Sequence, residues 1–164
     1  MNDRLSWASG MAADISIKIK PFDELTLVEL HACLKLRGEV FVVGQQICSE
    51  PDVDEVDPRC HHVMMYLGDE LIGTARLLPV DDEQSIKVGR VAVAEQHRGR
   101  GFGGSMMRAI QAWIGNVPGR RGVMSAQAHL ERWYGSMGWI SHSGEYMEAG
   151  IPHLQLLYTP ENRH

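Results

Sequence analysis

Residues 96–104 read Gln-His-Arg-Gly-Arg-Gly-Phe-Gly-Gly, with four glycines in the last six positions. Glycine lacks the Cβ that would hold a phosphate away from the backbone, and it accepts the positive φ that turns successive amides toward one point. Gly99, Gly101 and Gly103 are expected to supply such φ values, while Arg98 and Arg100 add charge. An apolar strand pattern leads into the run and a helical pattern leads out of it, so a helix N-terminus would aim at the same place. A plain surface turn would need only one or two glycines. The run is therefore expected to cradle the diphosphate of a nucleotide-type cofactor.

Gly99, Gly101 and Gly104 also spell G-x-G-x-x-G, with Arg120 and Arg121 placed to read a 2′-phosphate, so an NADP oxidoreductase is an alternative. That reading requires a parallel βαβ unit around residue 100, and the strands ahead of the run look like an antiparallel meander. No Gly-Lys-Ser/Thr ending and no G-x-S-x-G elbow is present, which argues against a nucleoside-triphosphate loop and a serine hydrolase. Coenzyme A remains as the phosphate carrier.

Other chemistry-bearing residues are more ambiguous. Arg37, Glu39, Arg76 and Arg90 sit in otherwise apolar segments, where burial requires a partner; a buried ion network and substrate contact are both open. Glu50, Asp52, Asp54, Glu55 and Asp57 crowd a stretch broken by Pro51 and Pro58, which is expected to be an exposed, solvated acidic loop. His61 and His62 follow Cys60, but neighbouring strand residues face opposite sides, so no metal site is expected there. Glu39, Glu145, His129 and His153 are candidate bases, and nothing in their spacing ranks them.

These residues need elements to hold them. Ile15, Ile17 and Ile19 alternate with polar residues, the period of a half-buried strand ending at Pro21. Thr26 with Glu29 forms a capping-box pair ahead of Leu27, Leu30, Cys33 and Leu34, and Gly38 is expected to interrupt that helix before a further turn at 40–43. Residues 62–67, 71–80 and 85–94 read as three meandering strands. Met106, Met107, Ile110, Trp113, Ile114 and Val117 follow helical spacing and read as core. A strand at 122–128, a short helix through Leu130, Trp133, Tyr134 and Met137, and a final strand pair within 139–158 complete the pattern. The expected architecture is α/β (α+β), with a mixed, mainly antiparallel central sheet between helices. Residues 1–13 are expected to be a flexible tail and 14–164 one domain.

The chain has 164 residues, 44% of them hydrophobic, and a formal net charge of −5. That balance argues against nucleic-acid coating, and no run approaches the ~18–20 apolar residues of a membrane span. Locally the charge reverses: 96–130 contains Arg98, Arg100, Arg108, Arg120 and Arg121 and no Asp or Glu. Three cysteines without Cys-x-x-Cys spacing suit a reduced, cytoplasmic setting.

Gln96-His97-Arg98-Gly99-Arg100-Gly101 between a strand and an amphipathic helix resembles the Q/R-x-x-G-x-G/A signature of GNAT-superfamily N-acetyltransferases. Leu36 to Val43, Ala75 to Pro79, Gly89 to Val93, Ala126 to Ala128 and Gly150 to His153 resemble the ElaA-like branch, over about residues 17–157. The resemblance implies acetyl-CoA as co-substrate and direct transfer to the amine of a small molecule or peptide, with no metal. It implies backbone contacts from Val91, Ala92 and Val93 to the pantetheine arm, phosphate contacts from Gln96, Arg98, Gly99, Arg100, Gly101, Phe102, Gly103 and Gly104, and Tyr134 as the acid that protonates the leaving thiolate. Glu39, Arg76 and His153 are carried as substrate-contact candidates, and a homodimer as the assembly considered. A non-enzymatic acyl-CoA sensor is the other alternative. Gly44, Trp133 and Ala149 depart from that branch, so no role transfers to position 44.

Overall fold

The computed structural model describes residues 14–47, 50–81 and 84–161; the expected tail at 1–13, together with Cys48, lies outside the described residues. Strand β1 (Ile15–Pro21) turns its isoleucines onto the main core, as the alternation requires. Helix α1 (Leu27–Arg37) is started by Thr26: its Oγ1 accepts the Glu29 amide at 3.0 Å, and the Glu29 carboxylate accepts the Thr26 amide at 2.9 Å. Gly38 does not interrupt the helix. It keeps helical angles (φ −60°, ψ −44°), and the chain widens into a π-helix over Gly38–Gly44. A Cβ at Gly44 would lie 3.1 Å from the Glu39 carbonyl oxygen, so the missing side chain lets the wide turn close.

The meander follows as β2 (His61–Leu67), β3 (Glu70–Val80) and β4 (Ser85–Val93). Helix α2 (Phe102–Gly115) then crosses to β5 (Arg121–Gln127) and a short helix α3 (Glu131–Gly135). The expected final strand pair resolves into three strands, β6 (Ile140–Ser141), β7 (Tyr146–Glu148) and β8 (Ile151–Tyr158). β6 and β7 pair with β8 at different heights, and β5 takes its opposite edge.

The sheet runs β1-β2-β3-β4-β5-β8-β6, and among the described pairings β4–β5 alone is parallel. Met106, Met107, Ile110 and Ile114 of α2 are fully buried on one face, against Leu77, Val88, Met124 and Leu156. Burying such a side chain contributes about 1.5–3 kcal/mol. Leu36 and Val40 cover the other face over Ala92 and Ala94. Helices therefore flank both faces of a mainly antiparallel sheet, as expected. No described helix is long and apolar enough to cross a membrane.

Gly122 marks where β5 passes beneath the core: a Cβ there would lie 2.7 Å from the Trp139 ring and 3.0 Å from Ile114 Cδ1. Gly122→Ala should lower the urea unfolding free energy by about 1–3 kcal/mol, because a buried indole has to move. Gly135→Ala, where a Cβ meets nothing within 4 Å, should leave it unchanged or slightly raised.

Candidate functional site

β4 and β5 pair from Ser85↔Arg121 to Val88↔Met124 and then part. β5 stays paired with β8 as far as Gln127↔His153, and β4 stays paired with β3 as far as Gly73↔Val93. Beyond Val88 and Met124, two strand edges thus face each other across a gap, with backbone donors and acceptors open to an extended ligand. A bulge sits at the start of the gap. Thr74 pairs with Ala92 but Arg76 pairs with Gly89, so one β3 residue opposes two on β4, and Arg90 takes φ 51°.

The acidic run explains how that bulge is held, and it is not a solvated loop. Arg37, 1% exposed, gives Nη1 to Asp57 at 2.7 Å and Nε to Asp52 at 3.1 Å. Arg76 grips Asp54 with both terminal nitrogens at 2.6 and 3.0 Å and also reaches Asp57 at 3.0 Å. Arg90 Nε lies 3.0 Å from Asp52 Oδ1, and its Nη2 lies 3.5 Å from Asp54. Of the two roles left open for Arg37, Arg76 and Arg90, the structure shows the ion network; Glu39 stays outside it, beside Lys35 at 4.0 Å. Burial pushes the Asp57 carboxyl upward, yet the Arg37 and Arg76 guanidinia more than offset it and hold it below its usual range. The Arg76 guanidinium holds Asp54 down at about 2, against a burial effect of opposite sign. His62 turns inward on the same side, Nε2 2.8 Å from the Asp57 carbonyl, while His61 lies tilted (51°) against the Trp113 ring, centroids 4.9 Å apart.

β4 runs directly into the glycine turn. Gly99 (φ 75°) and Gly101 (φ 82°) are left-handed as expected, and a Cβ on either would meet nothing within 4 Å. Gly103 does not share that role: it is helical, in the first turn of α2, and a Cβ on it would lie 3.4 Å from the Trp133 ring and 3.7 Å from Val93. Ser105 makes the helix bond back to the Gly101 carbonyl, which leaves the first α2 amides free to point into the turn. Arg98 donates Nε to the Val93 carbonyl at 3.0 Å, and Arg100 lies over Phe102 at 4.9 Å. Phe102 and Gly104 are turned toward the interior, while Gln96 and Arg98 to Gly101 are exposed. This arrangement can bind an oxyanion with backbone amides and nearby guanidinia.

Trp133 and Tyr134 meet edge to face at 4.8 Å. Trp133 and Val93 both border the position a Cβ on Gly103 would take, so α3 stands where β4 and α2 meet. Tyr134 is 6% exposed, and burial pushes its phenol up to about 12. A groove of about 290 Å³ lies between α1 and the end of β4, lined by Lys35, Glu39, Glu70, Ala94 and Gln96 among others. Glu39 and Gln96 both line it. His153 lies on β8, its Nδ1 2.7 Å from the Ile151 carbonyl and its Nε2 3.2 Å from Glu148. Ser125, Tyr146 and Gln155 join the same polar group, and none of them was singled out from sequence. Polar residues alternating with apolar ones along a strand look like ordinary solvent-facing positions.

The sequence pattern of the Acetyltransferase (GNAT) family matches residues 30–139. The chain belongs to that family. It is 36% identical to protein ElaA of Escherichia coli over 135 residues, covering 80% of this chain and 88% of ElaA. The crystal structure of Escherichia coli ElaA superposes with a TM-score of 0.80 over 88% of this chain and 99% of that one. An acyl-CoA N-acyltransferase from Pseudomonas aeruginosa, 38% identical, gives a TM-score of 0.81 with the same coverages. The ElaA-like resemblance read from the motifs is thereby shown. The parallel βαβ unit that an NADP reading required does exist, as β4-α2-β5, but antiparallel strands flank it and its own strands part at the ligand end.

The ion network generates an acid signature. The folded-state carboxyl of Asp54 ionises below its ordinary 3.8, so its contribution is complete above about pH 4 and disappears as pH falls toward 2. Asp54→Asn should remove about 2 kcal/mol of stability at pH 7 and flatten the stability curve between pH 4 and 2, read by urea titrations across that range.

Proposed function

We propose that residues 14–164 form a single acetyl-CoA-dependent N-acetyltransferase domain that transfers the acetyl group directly to an amine. The observation that carries this reading is the parting of β4 from β5 at the strand that feeds the glycine turn. One edge offers backbone to an extended pantetheine arm through Val91, Ala92 and Val93. The turn offers amides and charge to a diphosphate through Gln96, Arg98, Gly99, Arg100 and Gly101, with Phe102, Gly103 and Gly104 starting the helix behind it. GNAT acyltransferases take their acyl group from an acyl-coenzyme A and pass it to an amine acceptor, which fits both halves. The free, buried thiols of Cys33 and Cys60 suit a cytoplasmic setting.

Two protons have to move. An alkyl ammonium of pKa about 10.4 must lose one before its nitrogen can attack the thioester carbon. The nitrogen then carries a surplus proton, while the sulfur leaves with the C–S bonding pair. Tyr134, kept neutral by burial, donates its hydroxyl proton to that sulfur, becoming a phenolate, and is reprotonated by the surplus proton on nitrogen. The phenol is a weaker acid than a thiol of pKa about 8.5, so the acidic nitrogen of the tetrahedral adduct drives the exchange.

Coenzyme A at one hundred times its dissociation constant should stabilise the protein by about 2.7 kcal/mol, raising Tm, while NADPH should not. The absence of a shift with coenzyme A, or a larger shift with NADPH, rules the reading out. Tyr134→Phe should lower kcat about 100-fold or more, with the KM for acetyl-CoA held. Unchanged turnover in that variant would remove the acid role and favour an acyl-CoA sensor.

A further inference from the structure

The sheet face away from α2 carries a polar group beside the gap that no step above uses. Met124, Ala126, Leu154 and Leu156 point into the core, so the pleat turns Ser125, Gln127, His153 and Gln155 to the other face. Ser125 is the first β5 residue past the last β4 pairing. Across from it, Gln155 donates Nε2 to the Tyr146 hydroxyl at 2.9 Å, the Tyr146 hydroxyl meets Ser125 Oγ, and Ser125 Oγ donates to Glu148 Oε2 at 3.2 Å. Ser125 has one proton and spends it on Glu148, so Tyr146 is the donor in the middle contact. The chain is directional, Gln155 to Tyr146 to Ser125 to Glu148, and ends on the carboxylate.

His153 approaches the same oxygen, Nε2 at 3.2 Å from Oε2. Its Nδ1 faces the Ile151 carbonyl at 2.7 Å, and a carbonyl only accepts, so Nδ1 carries a hydrogen; a carboxylate also only accepts, so the contact between Nε2 and Oε2 is a hydrogen bond when one proton lies between them. A proton taken up by Glu148 therefore fits between Oε2 and Nε2. The Glu148 side chain is 53% exposed, which gives that proton a way out to water. Gln127, in contact with Gln45 at 3.4 Å, bounds the group on the α1 side. None of these described residues is Lys or Arg.

We propose that this group is the acceptor seat. Glu148 holds the acceptor's ammonium and takes its proton, and His153 is the positioning residue that holds the carboxyl afterwards. The N–H bond breaks, its electron pair becomes the nucleophile, and the proton ends on Glu148 Oε2 beside His153 Nε2. Because the group offers the Glu148 carboxylate and contains no Lys or Arg, it selects an amine whose remainder is neutral or positively charged over one carrying its own carboxylate. This deepens, and rests on, the N-acetyltransferase reading.

Three amines of matched length, n-butylamine, 1,4-diaminobutane and 4-aminobutanoate, test it through thiol release from acetyl-CoA. The first two should exceed 4-aminobutanoate in kcat/KM by about tenfold or more, one missing or repelled ion pair's worth. Glu148→Gln should lower kcat/KM for n-butylamine by about 100-fold or more with the KM for acetyl-CoA unmoved. It should also abolish calorimetric binding of 1,4-diaminobutane to the coenzyme A complex. His153→Asn, which keeps a donor for the Ile151 carbonyl, should lower kcat by about tenfold and spare both KM values. A preference for 4-aminobutanoate, no acetylation of any of the three by protein that binds acetyl-CoA, or full activity in Glu148→Gln would overturn the assignment. Failure to bind acetyl-CoA at all would overturn the enzyme reading and this assignment with it.

Discussion

Three arginines inside apolar segments must each find a negative partner, and the way this chain supplies them shapes everything around the gap. Arg37, Arg76 and Arg90 come from a helix and two adjacent strands, and Asp52, Asp54 and Asp57 come from one short connection. Folding that connection onto the sheet neutralises three buried or half-buried cations at once. A network of this kind adds little net stability over a well-packed apolar core, but losing its buried member Asp57 would leave the buried Arg37 unpaired, at a cost of about 3–5 kcal/mol. Its effect is positional: it fastens Arg90 in a left-handed conformation that strains any residue with a Cβ.

The position matters because the bulge at Arg90 marks the point after which β4 and β5 no longer pair. β4 remains anchored to β3 and β5 to β8, so both edges stay ordered while the space between them opens. α2 then places its N-terminus at the mouth of that space, and α3 places the Trp133–Tyr134 pair beside it. The opposite face offers the Ser125–Glu148–His153 group. On the proposed reading, a ligand entering along β4 would have Tyr134 on one side of the sheet and Glu148 on the other, which suits a transfer in which nitrogen and sulfur exchange places at one carbon.

Local chemistry was legible from sequence and distant pairing was not. The capping box at Thr26 and Glu29, the alternation in β1 and the spacing of Met106, Met107, Ile110 and Ile114 each depend on residues within a turn or two. So does the open conformation at Gly99 and Gly101. The acidic stretch was misread because its partners lie up to 38 positions away, and only the fold shows that five clustered acids include three counter-ions. Gly103 was assigned a turn conformation, but it lies in the first turn of α2 beside Trp133, a neighbour 30 positions on. The Arg37, Arg76 and Arg90 pairings were foreseeable as a need without the partners being nameable. Of the Glu148 group only His153 was singled out; Ser125, Tyr146, Glu148 and Gln155 gave no signal, since they are ordinary surface residue types brought together by the β5–β8 and β7–β8 registers.

Amide hydrogen exchange with and without coenzyme A tests the central claim most directly, because it reads the open edge itself. Binding should slow exchange at the β4 amides that face the gap and at Gly99, Gly101 and the first residues of α2, leaving β1 and β2 as they were. Unchanged exchange along β4 with coenzyme A bound, or protection confined to another part of the sheet, would contradict the account.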